Sequence, residues 1–357
     1  MPFHEGVRKR PGMYIGRIGS VGVGYIISEL IRDFAVDYQA KEVRVHISRE
    51  GIITISFPML RFSISEFLTL LNGGKKSVNS RWWLISLAII PALSKKTVIK
   101  VNGRIYKCSL NGRLTPAIKE DGNKVVSRFE VSFLPDDKVL KAKLPDNILL
   151  WSRLQELTFV CPQLKIIYRD DKTNPFTQIV WHSPKGIRHL LDVSANKLIG
   201  RDFETGFFFE ENGIRGDVCW FYANSYGQPP QIYAFANGEL NSNGGSHVAG
   251  VIHGILKGVK TIVKGNASRY ELTVNRTINN LCFAVSIWCD DISYKGNTTS
   301  CVDFEPIKKL LVKLVSAHVQ KFYVENSEQG KGMIERFRKH WPFHILKEKI
   351  ESGEFKK

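Results

Sequence analysis

Between residues 25 and 57 the hydrophobic period switches from that of a helix to that of a strand, and this switch limits the fold more than any other feature. In YIISELIRDFAVDYQA the apolar positions Ile26, Ile27, Leu30, Ile31 and Phe34 fall on one helical face. EVRVHIS and GIITISF then alternate with period two around Arg49-Glu50-Gly51, the signature of a hairpin. A helix and a hairpin that each hide one face are satisfied together by a helix laid on an antiparallel sheet. The expected class is therefore α+β.

The following residues extend that pattern. A helix is expected over residues 64–71, closed by Asn72-Gly73-Gly74, and a buried helix over the apolar run 82–93. Alternating strands are expected near 97–101, 104–110 and 126–134. A Gly-punctuated loop with Gly16, Gly19, Gly22 and Gly24 is expected before the first long helix. A second unit begins near Gly200, with strands in GDVCWFYANS and PQIYAFANGEL and a polar turn at 241–245. It continues with a helix in HVAGVIHGILKGVKTIV, a buried strand in NLCFAVSIWC and a long amphipathic helix in EPIKKLLVKLVSAHVQKFYV. The expected division is 1–198, 199–330 and a basic C-terminal tail over 331–357.

Charge supplies the main functional lead. Lys plus Arg number 51 against 34 acids, a formal +17, which favours polyanionic partners and says nothing about fold. No acid occurs between Glu66 and Glu120, whereas Lys75, Lys76, Arg81, Lys95, Lys96, Lys100, Arg104, Lys107, Arg113 and Lys119 accumulate there. Arg8, Lys9 and Arg10 form a further cluster. Arg336, Arg338 and Lys339 stand beside Trp341 and Phe343, an interleaving that suits nucleic acid. Taken singly, each of these cations is read as a solvated surface charge.

Other patterns carry less. The six cysteines are scattered without a C-x-x-C pair, which argues against zinc and for free thiols in a reducing compartment. His247 and His253, six positions apart on a predicted helix, fall on different faces, so no metal is expected. Gly19, Gly22 and Gly24 imitate a phosphate loop but lack its Lys-Ser/Thr. The 12-residue apolar run is short for a membrane span, and no membrane partner is expected.

One family resemblance runs through the chain in order. VRKRPGMYIG resembles the N-terminal signature of the type IIA topoisomerase ATPase subunits, the gyrase B and topoisomerase IV B proteins. GVGYIISELIRDFAVD resembles their first ATP-site helix, and LLNGGKK and IIPALS resemble later stretches of the same domain. FANGELNSNGGSHVAGVIHGI and FAVSIWCDDISYKGNTTSCV are similar to motifs of their transducer domain. The resemblance implies a GHKL (Bergerat-type) α/β sandwich domain followed by a ribosomal-S5-like transducer domain. No E-G-D-S-A or D-x-D run is present, so DNA cleavage by this polypeptide alone is not expected. Only Met1-Pro2-Phe3 precede the matching block, so exchange of an N-terminal arm is not expected either.

Carried over position by position, the resemblance implies a substituted ATP site. Glu29 falls on the general base and Asp33 on the metal-binding Asn. Ser56 or Phe57 falls on the adenine-reading Asp, and Phe129 on the nearby threonine. The phosphate-cradling lid falls on residues 80–86, where glycines are replaced and Trp82 and Trp83 enter. The transducer's Gln-Thr-Lys falls on Asn297-Thr298-Thr299, without its cation. Aromatic side chains, with Phe62, are expected to fill the cavity. Glu29 alone is otherwise read as an ordinary solvated or paired acid.

The resulting expectation is a catalytically degenerate gyrase B-like protein that uses no cofactor, neither ATP nor Mg. It would act as a DNA-binding or topoisomerase-associated module in the cytoplasm, at the nucleoid. Lys257, Lys260, Lys264 and Arg269 are placed by the resemblance near a DNA-sized cavity between transducer domains. A homodimer, or association with gyrase or topoisomerase IV subunits, is the expected assembly. The alternative is a divergent ATPase module, dependent on ATP and Mg, for a topoisomerase whose cleavage subunits come in trans.

Overall fold

The computed structural model describes residues 3–71, 75–76, 83–110, 113–114, 125–194, 200–224, 229–296 and 298–339, leaving aside the side chains of 75–76, 83–84, 106–110 and 113–114. The chain divides into two units. The first comprises Met1–Val193 with Phe235–Glu239 and Trp288–Ile292, and the second comprises Ser194–Ala234, Leu240–Ile287 and Ser293–Lys357.

In chain order the first unit runs α1 (Phe3–Lys9), α2 (Gly12–Ile15), α3 (Ser20–Asp37), β1 (Glu42–Ile47), β2 (Ile53–Phe57), β3 (Phe62–Ser63), α4 (Ile64–Leu71), β4 (Lys75–Lys76) and β5 (Trp83–Leu84). Next come α5 (Ser86–Ala92), β6 (Ser94–Val101), β7 (Arg104–Leu110), β8 (Arg113–Leu114), β9 (Val125–Val126) and β10 (Phe129–Pro135). It closes with α6 (Asp137–Leu140), α7 (Asn147–Val160), β11 (Lys165–Asp170), β12 (Thr177–His182) and α8 (Ile187–Ser194).

Eight strands form one sheet in the order β12-β11-β1-β2-β10-β6-β7-β8. The hairpin read from the sequence is present, with Ile47 opposite Ile53 and Arg44 opposite Ser56. β1 runs parallel to β11, which lies more than a hundred residues downstream. Alternate residues of β2 and β10 (Ile53, Ile55, Phe57; Phe129, Val131, Phe133) are buried, as period two requires of a sheet whose face is covered. Helix α3 packs against both α5 and α7 beside it.

Two expectations change here. The long helix begins at Ser20, not after the glycines, so Gly22 and Gly24 lie inside it. A Cβ at Gly22 would stand 2.2 Å from the Arg17 carbonyl oxygen, so the close approach of the preceding loop outweighs glycine's usual helix penalty of about 1 kcal/mol. The apolar run 82–93 is not one helix. Trp83-Leu84 pair with Lys76-Lys75 as a short ladder, and helix begins at Ser86. A short apolar run has no period that separates buried strand from buried helix.

The remaining elements are β13 (Gly200–Glu211), β14 (Ile214–Asn224), β15 (Gln231–Ala236), β16 (Glu239–Leu240), α9 (Ser246–Ile262), a 3₁₀ turn at Lys264–Arg269, α10 (Val274–Ile278), β17 (Leu281–Trp288), α11 (Glu305–Glu325) and α12 (Ser327–Glu335); they form the second unit except at Phe235–Glu239 and Trp288, which belong to the first. Their strands are ordered β13-β14-β17-β15-β16. Gly250, Gly254 and Gly258 recur every fourth residue on α9, and a Cβ at each would stand 2.6–2.8 Å from the Cβ of Leu311, Val315 or Val319 on α11. The stripe lets the two helices touch nearly backbone to side chain.

Residues 331–339, the first part of the expected basic tail, continue this unit. α12 runs across position 330, Phe337 is buried, and Glu271 N donates to the Phe337 carbonyl at 2.7 Å. The remainder of the expected tail, with Trp341 and Phe343, lies outside the described residues.

Candidate functional site

Helix α3 carries Glu29 and Asp33 one turn apart, so both carboxylates project from one face. Burial of both would be costly without partners. Arg32 supplies the partner: its Nη2 lies 2.7 Å from Glu29 Oε2 and 3.2 Å from Asp33 Oδ1. Ser86, at the first position of α5, donates to Asp33 Oδ2 at 2.5 Å. Burial pushes the Asp33 carboxyl up to about 7, with Glu29 adding to the rise and Arg32 and Ser86 opposing it. Burial works against the Arg32 charge, but Glu29 and Asp33 outweigh it and push its pKa up.

Arg32 also reaches the turn 237–239. Its Nη1 pairs with Glu239 Oε1, and Arg153 Nη2 on α7 lies 3.1 Å from Glu239 Oε2. Sequence reasoning finds Glu29 and Asp33 but misses Arg32, Arg153, Ser86 and Glu239. Arg32 stands three residues after Glu29, the spacing of a helical ion pair, and that is the one signal available.

Aromatic rings form the neighbouring wall. Phe57 of β2 and Phe129 of β10 are register partners across the sheet. Phe34 of α3 stacks on both, with centroid separations of 4.6 Å and 5.2 Å. Phe62 and Phe67 close the sides, each 5.8 Å from a ring of the stack, and Tyr38 lies 5.3 Å from Phe34. Phe34, Phe57 and Phe129 are at most 1% exposed. These rings offer no hydrogen-bond donor or acceptor. In the sequence Phe34 reads only as a helix-core residue, and nothing singles out Phe67. Trp82 lies outside the described residues, and so does the Trp83 side chain. A cleft of about 880 Å³ borders the stack at Tyr38 and Phe62 and carries Asp37, Lys41, Arg61 and Glu66 on its walls.

In the stretch the resemblance aligns with the transducer's Gln-Thr-Lys, Asn297 lies outside the described residues. The Thr299 carbonyl accepts a bond from Asn241 Nδ2 at 2.6 Å, and Thr298 Oγ1 lies 2.8 Å from Ser300 Oγ. His247 is fully buried and held neutral, its pKa lowered by burial to about 4. Among the described residues no cluster of His, Cys, Asp or Glu could hold a metal ion. Cys161, Cys219, Cys282 and Cys289 are buried and form no disulfide among the described residues.

The candidate nucleic-acid residues separate into two groups. Arg8 is a packing residue, donating to the Ala92 carbonyl at 2.8 Å and to Asp136 at 2.6 Å. Lys95 pairs with Asp137, Arg338 with Glu335 at 2.7 Å, and the Arg336 guanidinium lies 4.5 Å over the Tyr222 ring. Lys9, Arg10, Lys96, Lys257, Lys260, Lys264, Arg269 and Lys339 are exposed. Arg81 lies outside the described residues, with the side chains of Lys75 and Lys76. Among the described residues no helix is long and apolar enough to cross a membrane.

Comparison with known proteins agrees with the fold. The DNA gyrase B family matches residues 181–341. The topoisomerase 4 B protein of Mycoplasma genitalium is 26% identical over 93% of this chain and 57% of its own length. The gyrase B protein of Helicobacter pylori is 26% identical over 92% of this chain and 46% of its own. The chain thus spans about half the length of the curated relatives it matches. Among solved structures, the 43K ATPase domain of Thermus thermophilus gyrase B, in complex with an aminocoumarin, superposes with a TM-score of 0.76 over 93% of both chains at 19% identity. The topoisomerase IV ATP-binding domain of Francisella tularensis gives a TM-score of 0.71 at 18% identity.

Proposed function

Starting from a chain that is type IIA topoisomerase B-like in sequence and fold, we propose that it is a nucleotide-independent scaffold that binds DNA, a topoisomerase subunit, or both. The observation that carries this reading is the stack of Phe34, Phe57 and Phe129, which leaves bare ring edges where an adenine would need an acceptor. The ion pairs support it too. Arg32 pairs with both Glu29 and Asp33, so the carboxylates that would serve a hard cation already face a guanidinium, which supports a reading without MgATP. Isothermal titration with ATP and a non-hydrolysable analogue, with Mg present, is expected to give no saturable heat. Saturable binding in the micromolar range overturns the reading.

DNA is proposed as a partner on the strength of the exposed cations of α9 and the turn after it, Lys257, Lys260, Lys264 and Arg269, none of them ion-paired among the described residues. Such contacts act through counterion release, about 0.9 of a unit in the salt slope for each phosphate neutralised. Replacing all four by alanine is therefore expected to flatten the slope of log K against log salt by up to about 3.6. A mobility shift absent at low salt, or a slope unmoved in the variant, removes DNA from the proposal. Phosphate release stimulated by DNA would instead favour a divergent ATPase.

A further inference from the structure

Glu239 is held in a way its position on a two-residue strand does not require. Its two carboxylate oxygens are shared between two arginines from different helices, Arg32 on α3 and Arg153 on α7. Arg153 Nη2 also donates to the Gly238 carbonyl at 3.2 Å, so one guanidinium grips the turn by backbone and side chain. All three side chains are about one-fifth exposed, which keeps the pairs partly out of water. Charge-assisted bonds of this kind are roughly twice as strong as neutral ones.

The turn itself is anchored by other means. Asn237 and Gly238 both adopt positive φ, 50° and 78°, the hairpin geometry that Asn-Gly favours. The Asn237 side chain donates to the Cys289 carbonyl at 2.9 Å and accepts from Cys289 N at 3.0 Å. Neither feature involves the Glu239 side chain. The two arginines are likewise fixed by other acids, Arg32 by Glu29 and Asp33, and Arg153 by Glu156 at 3.4 Å. The pocket that receives the carboxylate is therefore built without it.

We propose that Arg32 and Arg153 form a carboxylate seat, and that the chain fills this seat with its own Glu239. The class of ligand follows from the charges. Glu29, Asp33 and Glu156 stand around the seat and disfavour a second negative charge, so it suits a monoanionic carboxylate better than a phosphate dianion. Self-occupancy fastens the 237–239 turn to α3 and α7 with no external ligand. It also keeps Arg32 fixed over Glu29 and Asp33. The proposal stands whether or not nucleotide binds, since none takes part.

The test is chemical rescue in the full chain. Glu239→Ala is expected to lower the thermal midpoint by about 3 °C. Sodium acetate up to about 0.1 M should restore at least half of that loss, by mass action on the vacated seat. Sodium chloride at equal ionic strength should not. The double variant Glu239→Ala/Arg153→Gln should lose the rescue. Rescue that is absent in folded Glu239→Ala, or equal in the wild-type chain, or retained in the double variant, overturns the proposal. Should Glu239→Ala fail to fold, Glu239→Gln is read by amide exchange. Peptides covering 237–241 are expected to exchange about tenfold faster while those of β10 and β11 stay unchanged. Unchanged exchange at the turn, or equal acceleration everywhere, overturns it as well.

Discussion

Truncating Phe129 to alanine is expected to destabilise the first unit by about 4 kcal/mol, the range for removing a fully buried aromatic. The ring is inaccessible to solvent, is the register partner of Phe57, and stacks on Phe34 at an interplanar angle of 4°. Its loss removes the ring contacts to Phe34, Phe57 and Phe67 and leaves a void between helix and sheet. Urea unfolding followed by a first-unit probe checks the expectation, with Phe208→Ala as control. Phe208 is 65% exposed, and its truncation should change stability by less than about 0.5 kcal/mol. A loss at Phe129 below about 1.5 kcal/mol would mean that the stack is not a packed core. Phe57→Asp tests the same wall from the other side. It returns the residue type the family resemblance places at Ser56 or Phe57, and it buries a carboxylate among rings with no donor. That variant is expected to leave the first unit unfolded.

The second large effect is a dependence of stability on pH. Asp33 faces Glu29 and Arg32 on its own helix and Ser86 from α5, with Tyr25 and Tyr38 in its field and Glu239 and Arg153 beyond Arg32. Burial holds its carboxyl at about 7, against 3.8 for the ordinary group. Between these values the folded chain keeps a proton that the unfolded chain has released. The contribution is fully present below about pH 4 and is lost as pH rises through about 7. Its slope is at most about 1.4 kcal/mol per pH unit, for a total of about 2–4 kcal/mol. Asp33→Asn cannot ionise; its amide oxygen accepts from Arg32 while its amide N–H donates to the Ser86 hydroxyl, so it should remove this slope. Urea midpoints measured from about pH 5 to pH 8 should fall in the wild-type chain and stay flatter in the variant. Equal slopes in both would show that another group carries the dependence.

Much of the scaffold was legible in the sequence because its signals are short-range. The 42–57 hairpin, helices α4, α9 and α11, and the buried strand β17 each repeat a period within their own residues. Phe57 and Phe129 were legible as members of the wall only through the family resemblance, since neither carries a spacing signal of its own. What was misread depends on neighbours elsewhere in the chain. The helical state of Gly22 depends on the backbone at Arg17, and the strand at Trp83-Leu84 depends on the Lys75-Lys76 backbone opposite. α7 and β12 were not singled out, and the parallel pairing of β1 with β11 leaves no mark on either strand.

By itself, then, the sequence determined the class of fold and those elements whose period repeats within their own residues. Periodicity and residue chemistry are properties of single segments, and they survive in one dimension. Only the tertiary structure decided how the remaining charges are satisfied. Arg32 meets Glu239 across 207 positions, and Arg8 meets Asp136 across 128. A buried charge must find a partner, but the partner is whichever acid the folded backbone brings within reach.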